Sequence, residues 1–530
     1  MMLATVASRL LGWARDRSIG HYFGSTPHTD AYWAAFGVPD LLYYLLAGGA
    51  LSAALIPVMT GYLVRGEDEQ GWRVVNTLAT LLVVLVAVGV AVIMAFAPYL
   101  VWVTAPGFRA HPAQFAECVL YTRVMAAMVF FTALSALSSG VLQSFRHFTA
   151  PSLAWLVYNV GIIFGIIVLS PSLGIVGMCL GVLLGAAAMV AVQVPALVRR
   201  GYRFRPNLDL RQEGVRTVGR LFFPVMAGLA LTQIGLLWLP GFFGSFFAEG
   251  VTNLRYANRL VILPLGMFAV AISTAAFPAL AAQVAEGRTE QFRRTLADSL
   301  RAILVLAMPS AVVLAVLAEP LLRLLWQSGQ FGDRALQAAS FALVFYSAGL
   351  VGLSLLQVIN RGFYSLRDMV TPLKVGFLYV TLNVLVVVAL MRTPLQYGAV
   401  ALGLTVSVTA GCLVLLGLLS RRLGGVHGRE LLAAFARILV ASAALGATAW
   451  VVSAALGHAL GVPTTHFRLA APTGGAAGPS AVSRLHVLIQ AGGALAAGGL
   501  AYLAALWALR APELATVMGA MRSRMKRRGA

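Results

Sequence analysis

Thr77 to Ala97 read TLATLLVVLVAVGVAVIMAFA, 21 consecutive residues without a charge. At about 1.5 Å per residue a helix of this length crosses the roughly 30 Å hydrocarbon core of a bilayer. The apolar residues run on without the period-two alternation of a barrel strand, so the stretch is a membrane helix. The same pattern recurs along the chain. Of its 530 residues, 60% are hydrophobic and only 11% charged, with a mean hydropathy of +0.85. Soluble domains carry about 25% charged residues, and this chain has too few polar groups to cover a water-facing surface. The expected fold class is therefore an all-α polytopic membrane protein.

Counting segments of spanning length, with bends allowed at proline, gives about fourteen transmembrane helices. They are expected near 2–23, 30–63, 74–104, 114–143, 152–170, 174–198, 215–245, 251–284, 293–318, 335–361, 372–391, 396–420, 430–457 and 485–510. The net charge of +21 is spread unevenly over the connections. Arginine gathers in the loops after even-numbered segments and in the C-terminal tail, which places both termini in the cytoplasm. The densest loop holds Arg199, Arg200, Arg203, Arg205, Arg211 and Arg216; the tail holds Arg522, Arg524, Lys526, Arg527 and Arg528. Both clusters read as topology signals that touch anionic phospholipids, not nucleic acid. The stretch 458–484, rich in Gly, Pro, Thr and Ala, is expected to be a flexible external loop.

A short repeat divides the chain. Ser144-Phe145-Arg146 precedes Pro151, and Ser365-Leu366-Arg367 precedes Pro372 at the same spacing, 221 residues later. The copies lie six segments apart, an even number, so they share an orientation. This predicts two six-helix lobes, 1–200 and 201–425, around a central cavity, with two extra helices and a basic tail in 426–530. Gly161/Gly165 and Gly181/Gly185 are expected at close helix–helix contacts.

Enzyme signatures are missing. Neither lysine follows a glycine, as a phosphate-binding loop requires; there is no HExxH and no GxSxG. Cys118, Cys179 and Cys412 are far apart and form no CxxC pair. The chain is expected not to be an enzyme and to hold no cofactor and no metal.

What stands out is charge inside membrane segments, which is costly and points to function. The first forty residues carry Arg9, Arg15, Asp16, Arg17, Asp30 and Asp40. At about 100° per residue, Arg9 and Asp16 fall within about 20° of each other and are expected to neutralise one another in part. Arg15 points to another face, which suits a helix at the wall of a water-filled cavity. Arg255 and Arg259, with Asn258 between them, are one turn apart on one face of the eighth segment. Paired guanidinium groups grip phosphate oxygens, so this face is an expected anion site. Pro39, Pro57 and Pro264 lie near both clusters and allow bending.

Taken in order, several blocks resemble the MurJ (MviN) family of lipid II flippases. They are Ser8-Arg9-Leu10-Leu11-Gly12-Trp13-Ala14-Arg15-Asp16, then Thr29-Asp30-Ala31-Tyr32 with Ala35-Phe36 and Pro39. Thr104-Ala105-Pro106-Gly107-Phe108, Tyr256-Ala257-Asn258-Arg259-Leu260, Gln327-Ser328-Gly329-Gln330-Phe331 and Gly362-Phe363-Tyr364-Ser365 follow. The resemblance implies the multidrug/oligosaccharidyl-lipid/polysaccharide exporter fold. It also implies movement of undecaprenyl-diphosphate-linked disaccharide-pentapeptide between leaflets of the bacterial cytoplasmic (inner) membrane by alternating access. It matches Arg9, Arg15, Asp30 and Arg259 to charged cavity positions of the family, and it implies a groove at the last two helices for the polyprenyl tail. This chain departs from the family at Tyr43-Tyr44, where an arginine pair is usual, and at Gly48 and Ile262, where glutamate is usual. No Asp or Glu lies in the seventh or eleventh segment, where some members bind sodium. With no nucleotide motif, the expected energy source is the membrane potential or an ion gradient. Other cell-wall synthesis proteins are expected partners. Two other readings stay open: export of another lipid-linked glycan, and a non-transporting paralogue that scaffolds envelope enzymes.

Overall fold

The computed structural model describes residues 2–47, 50–233, 238–462 and 482–512. The described residues are helical apart from turns, irregular connections of which 202–209 is an example, and one isolated bridge, Ser328 with Phe331. The chain divides into two compact units. The first comprises Met1–Thr252 with Ser328–Phe331, and the second Asn253–Gln327 with Gly332–Ala530.

The first unit contains α1 (Met2–Phe23), α2 (Pro27–Ala47), α3 (Ala50–Val64), α4 (Asp68–Ala95), α5 (Ala97–Thr104), α6 (Pro112–Ala126) and α7 (Met128–Ser144). It continues with α8 (Thr149–Phe164), α9 (Ser170–Leu173), α10 (Ile175–Arg199), α11 (Glu213–Gln233) and α12 (Leu239–Gly244). α13 (Gly250–Pro264) begins there and continues into the second unit. α14 (Val270–Ala285), α15 (Thr289–Val316), α16 (Ala318–Trp326), α17 (Asp333–Ser365), α18 (Val370–Leu390), α19 (Gly398–Leu423), α20 (Gly428–Leu460) and α21 (Arg484–Ala508) complete it.

The described parts of the fourteen expected segments are largely helical, but eleven helical stretches among the described residues are long and apolar enough to cross a membrane. The exceptions have physical causes. α1 carries Arg9, Arg15, Asp16 and Arg17; α2 carries Asp30 and Asp40; α11 carries Arg216 and Arg220. Helix breaks fall where backbone hydrogen bonding is interrupted. The stretch expected at 74–104 parts at Phe96, and a proline in the first turn starts α5. Pro264 is followed by a π-helical turn, Leu265–Ala269, and a second such turn, Gly165–Leu169, follows α8.

Apolar surface faces outward as well as inward. On α4, Leu85, Val88 and Val92 are exposed. Water would not tolerate such a face, and lipid does. Inside the first unit Ile19, Tyr32, Met125 and Met178 are buried together. Gly161 and Gly165 on the α8 side meet Gly185 and Gly181 of α10 so closely that a Cβ on Gly161 would lie 2.4 Å from the Gly185 Cα. Only glycine permits that backbone approach, as expected. In the second unit Phe292, Leu296, Ile303, Phe363 and Leu419 form the core. The last two helices dock on α15: Tyr502 donates its hydroxyl to the Val305 carbonyl at 2.9 Å. Gln490 ties α21 to α20 by donating to the Ser453 carbonyl at 3.0 Å. All three cysteines are free and buried.

The repeat is a repeat of backbone. Arg146 and Arg367 both adopt left-handed conformations, with φ of 56° and 58°. In each copy the following amide reaches back five residues, His147 to the Leu142 carbonyl and Asp368 to the Phe363 carbonyl. Ser144 and Ser365 each donate to the carbonyl four residues earlier. This is one helix-terminating motif built twice, with arginine at a position usually held by glycine. Most of the external loop expected at 458–484, residues 463–481, lies outside the described residues, as do Gly48 and the arginine-rich tail.

Candidate substrate-binding site

α1 stays helical through Gly12 and therefore presents its charges on several faces. Arg15 Nε and Nη2 both donate to Asp16 Oδ1, at 2.9 and 2.6 Å. Asp16 is buried, so its charge is balanced by its chain neighbour and not by Arg9 as expected from helical angle. A long guanidinium folds sideways around the helix, which a calculation on Cβ directions omits. Arg9 has no ion-pair partner among the described residues. It lines a cavity of about 450 Å³ within the first unit, with Ser52, Thr132, Ser135 and Ser139.

Asp30, in the first turn of α2, is fully buried. Its Oδ1 accepts from the Thr252 amide at 2.8 Å and the Thr252 hydroxyl at 2.5 Å. Thr252 is in the first turn of α13, where unpaired amides and the positive end of the helix dipole favour a carboxylate. Asp30 Oδ2 is buried without a hydrogen-bond partner in the structure. Asp30 thus caps the first turn of α13.

In the second unit, every residue from Asn253 to Val261 is buried except Arg255 and Arg259, which are half-buried. The two arginines, one turn apart, therefore share the one open face of α13. Asn258 is 8% exposed, and its side-chain oxygen is buried without a partner. Tyr256 packs edge-on against Trp326 at 5.4 Å and fixes the opposite side of the helix. The open face is cationic and suited to an anion.

Two features escaped sequence reasoning. The first is a buried ion cluster in the second unit: Arg323 Nη2 donates to Glu319 Oε1 at 2.8 Å and lies 3.4 Å from Asp333 Oδ1. Gln327 donates to the same Asp333 oxygen at 2.8 Å. The i,i+4 spacing of Glu319 and Arg323 was a usable signal. The second is the role of Ser328-Gly329-Gln330-Phe331, which belongs to the first unit. The Gln330 amide donates to the His21 carbonyl at 2.9 Å. Gly329 has φ +56°, and a Cβ there would sit 2.2 Å from the His21 oxygen. The block is a clasp on the end of α1. Among the described residues, no three His, Cys, Asp or Glu side chains gather closely enough to hold a metal.

The profile of the family described as lipid II flippase MurJ matches residues 19–471. The chain belongs to the MurJ family. A probable lipid II flippase MurJ from Vibrio cholerae is 31% identical over 84% of this chain and 87% of the relative. The lipid II flippase MurJ of Burkholderia cenocepacia is 30% identical over 79% of this chain and 82% of the relative. A solved structure of a lipid II flippase MurJ in an inward-closed conformation superposes with a TM-score of 0.75 at 21% identity, over 95% of this chain and 98% of that one. An inward-facing multidrug transporter of the MATE family and MOP superfamily gives a TM-score of 0.64 at 15% identity, over 79% and 94%. Both structures share the fold with this MurJ-family chain, so the expected exporter fold holds.

Proposed function

We propose that this chain moves undecaprenyl-diphosphate-linked peptidoglycan precursor, lipid II, from the inner to the outer leaflet of the bacterial cytoplasmic membrane by alternating access. The observation that carries this reading is the family match over residues 19–471, on a multi-pass helical chain with guanidinium groups at helix faces that remain open. Arg9 and Arg15 in the first unit, and Arg255 and Arg259 with Asn258 in the second, are each proposed to bind the diphosphate, and Asp30 positions the first turn of α13. No bond is made or broken. The work is a population shift between states that bind the lipid differently. Both termini lie in the cytoplasm in this proposal, and the membrane potential or an ion gradient drives the cycle. The two-lobe division at 1–200, 201–425 and 426–530 belongs to it, as do contacts with anionic phospholipids and other cell-wall synthesis proteins.

Complementation tests the reading directly. Cells depleted of their own lipid II flippase should survive on this chain. Death of cells that express it intact in the membrane would sink the proposal.

A further inference from the structure

A second opening in the first unit is lined almost wholly by hydrocarbon. α4 and α10 both pack on α7 and scarcely touch one another, which leaves a groove of about 370 Å³ between them. Val75, Ala79, Leu137, Val141 and Leu197 form its buried floor. Val194 and Val198, 45% and 60% exposed, form an open rim on α10. Among the described residues, Ser138 carries the one polar side chain on its helical walls. Val75, Ala79 and Val83 recur every fourth residue, so the groove runs along the helix axis for about 12 Å.

One end of the groove is bridged by the chain that follows α10. Asn76 of α4, itself buried, donates to the Arg203 carbonyl and accepts from the Arg205 amide, both at 3.2 Å. The Asn207 amide donates to Thr80 Oγ1 at 3.1 Å, and its side chain to Thr77 Oγ1 at 3.0 Å. Tyr202 and Phe204 both line the groove, as alternate side chains of an extended chain do. Trp72 stacks on Phe145 at 5.4 Å and meets Tyr202 at 5.5 Å, an aromatic cluster of the kind found at headgroup depth. Arg199, Arg200, Arg203 and Arg205 are exposed at this same end. None of the four pairs with a carboxylate among the described residues.

A long apolar furrow with a cationic, aromatic end restricts what can fill it. A peptide strand would leave backbone groups unpaired against hydrocarbon, and a helix, about 10 Å wide, is too broad. An alkyl chain has no polar group to satisfy, and about 12 Å is most of the roughly 15 Å hydrocarbon depth of one leaflet. At the basic end, guanidinium groups hold phosphate oxygens and favour a headgroup with net negative charge.

We propose that the groove is a site for one anionic glycerophospholipid of the bilayer, with an acyl chain between α4 and α10 and its phosphate among the four arginines. The lipid is a resident of the first unit and not cargo. The site makes the phospholipid contact of the proposed function specific and rests on the topology given there, which puts the basic end on the cytoplasmic side. It does not depend on flipping.

Full-length protein in phosphatidylcholine vesicles is probed with phosphatidylglycerol or phosphatidylcholine bearing a photoreactive acyl chain, and the labelled peptides are mapped. The phosphatidylglycerol probe should label the α7 and α10 walls several times more than the exposed Leu85 and Val88 face of α4. Val194→Trp fills the groove from its rim and should cut that labelling about tenfold. Arg199→Gln with Arg203→Gln should lower the preference for phosphatidylglycerol over phosphatidylcholine about tenfold or more, since each basic residue beside an anionic surface is worth roughly fivefold. Both arginines are exposed, so this variant stays informative should the filled one misfold. Labelling spread evenly over the lipid-facing helices, or unchanged by both variants, overturns the site and leaves ordinary boundary lipid. Displacement of the probe by undecaprenyl phosphate more readily than by unlabelled phosphatidylglycerol overturns the phospholipid in favour of a polyprenyl chain. Complementation separates the two proposals. Survival of cells on a chain that shows no groove labelling sinks the site alone, and groove labelling on a chain that cannot sustain cells sinks the flippase reading alone.

Discussion

α1 and α13 both carry two or more arginines into the membrane region, and they resolve the cost in opposite ways. α1 spreads charge around its circumference, so one cation is neutralised locally by Asp16 and another is turned into a polar cavity. α13 puts both cations on one face and buries the rest of its surface. Charges on a membrane helix can therefore be spread around it or gathered on one half-buried face, and the two arrangements respond differently to mutation. An internal pair adds stability to whatever contact its arginine makes with a ligand; a half-buried cation on an accessible face acts chiefly through the ligand.

The largest effect should come from the open face. Arg259→Ala is expected to abolish complementation with membrane expression unchanged, and Arg259→Lys to restore it only in part, since lysine lacks the planar fork. Full activity of the alanine variant removes Arg259 from the site. The local pair should behave otherwise. Arg15→Ala breaks the buried pair with Asp16, which costs about 3–5 kcal/mol of stability. Replacing both, Arg15→Leu with Asp16→Leu, should recover most of that loss in a thermal unfolding measurement in detergent. If the double variant is no more stable than the single, the pair is not the unit described here.

Arg9 sharpens the contrast within α1 itself. Arg9→Ala should change stability by less than about 0.5 kcal/mol, because no ion pair is broken. It should nonetheless lower flipping in proteoliposomes about tenfold, equivalent to about 1.4 kcal/mol. The smallest expected effect lies outside both helices, at the second copy of the repeated turn. Asp368 accepts from the Thr371 amide and hydroxyl and pairs with Arg422, and these contacts, the Thr371 amide first, hold its carboxyl below the usual range. Asp368→Ala should cost about 1 kcal/mol, as for a lost helix cap. Because the folded-state pKa is depressed, this stabilisation is complete above the unfolded value of about 3.9 and is lost as pH falls through the folded one. The variant and the parent should then differ in unfolding temperature at neutral pH and converge in strong acid. A gap that persists in acid would show that the carboxylate charge is not involved.

Much of the site was legible because ionised side chains are rare in apolar segments. Arg9, Arg15, Asp30, Arg255 and Arg259 stand out for that reason alone. Their partners were not legible. Thr252, which holds Asp30, is 222 residues away and is an ordinary threonine in a helix start. The repeated Ser-x-Arg turn was legible as letters, while its left-handed arginine was not.

Insertion of a helix into lipid depends on the summed polarity of about twenty neighbouring residues, so composition along the chain by itself determined that this is a many-helix membrane protein. Charge pairing depends on which side chains the packed helices bring within a few ångströms. Only the tertiary structure could decide that Asp16 belongs to Arg15, that Asp30 caps α13, and that Arg9 faces a hydroxyl-lined cavity. Local polarity sets where a segment resides; contacts between residues distant in the chain set what its charges do.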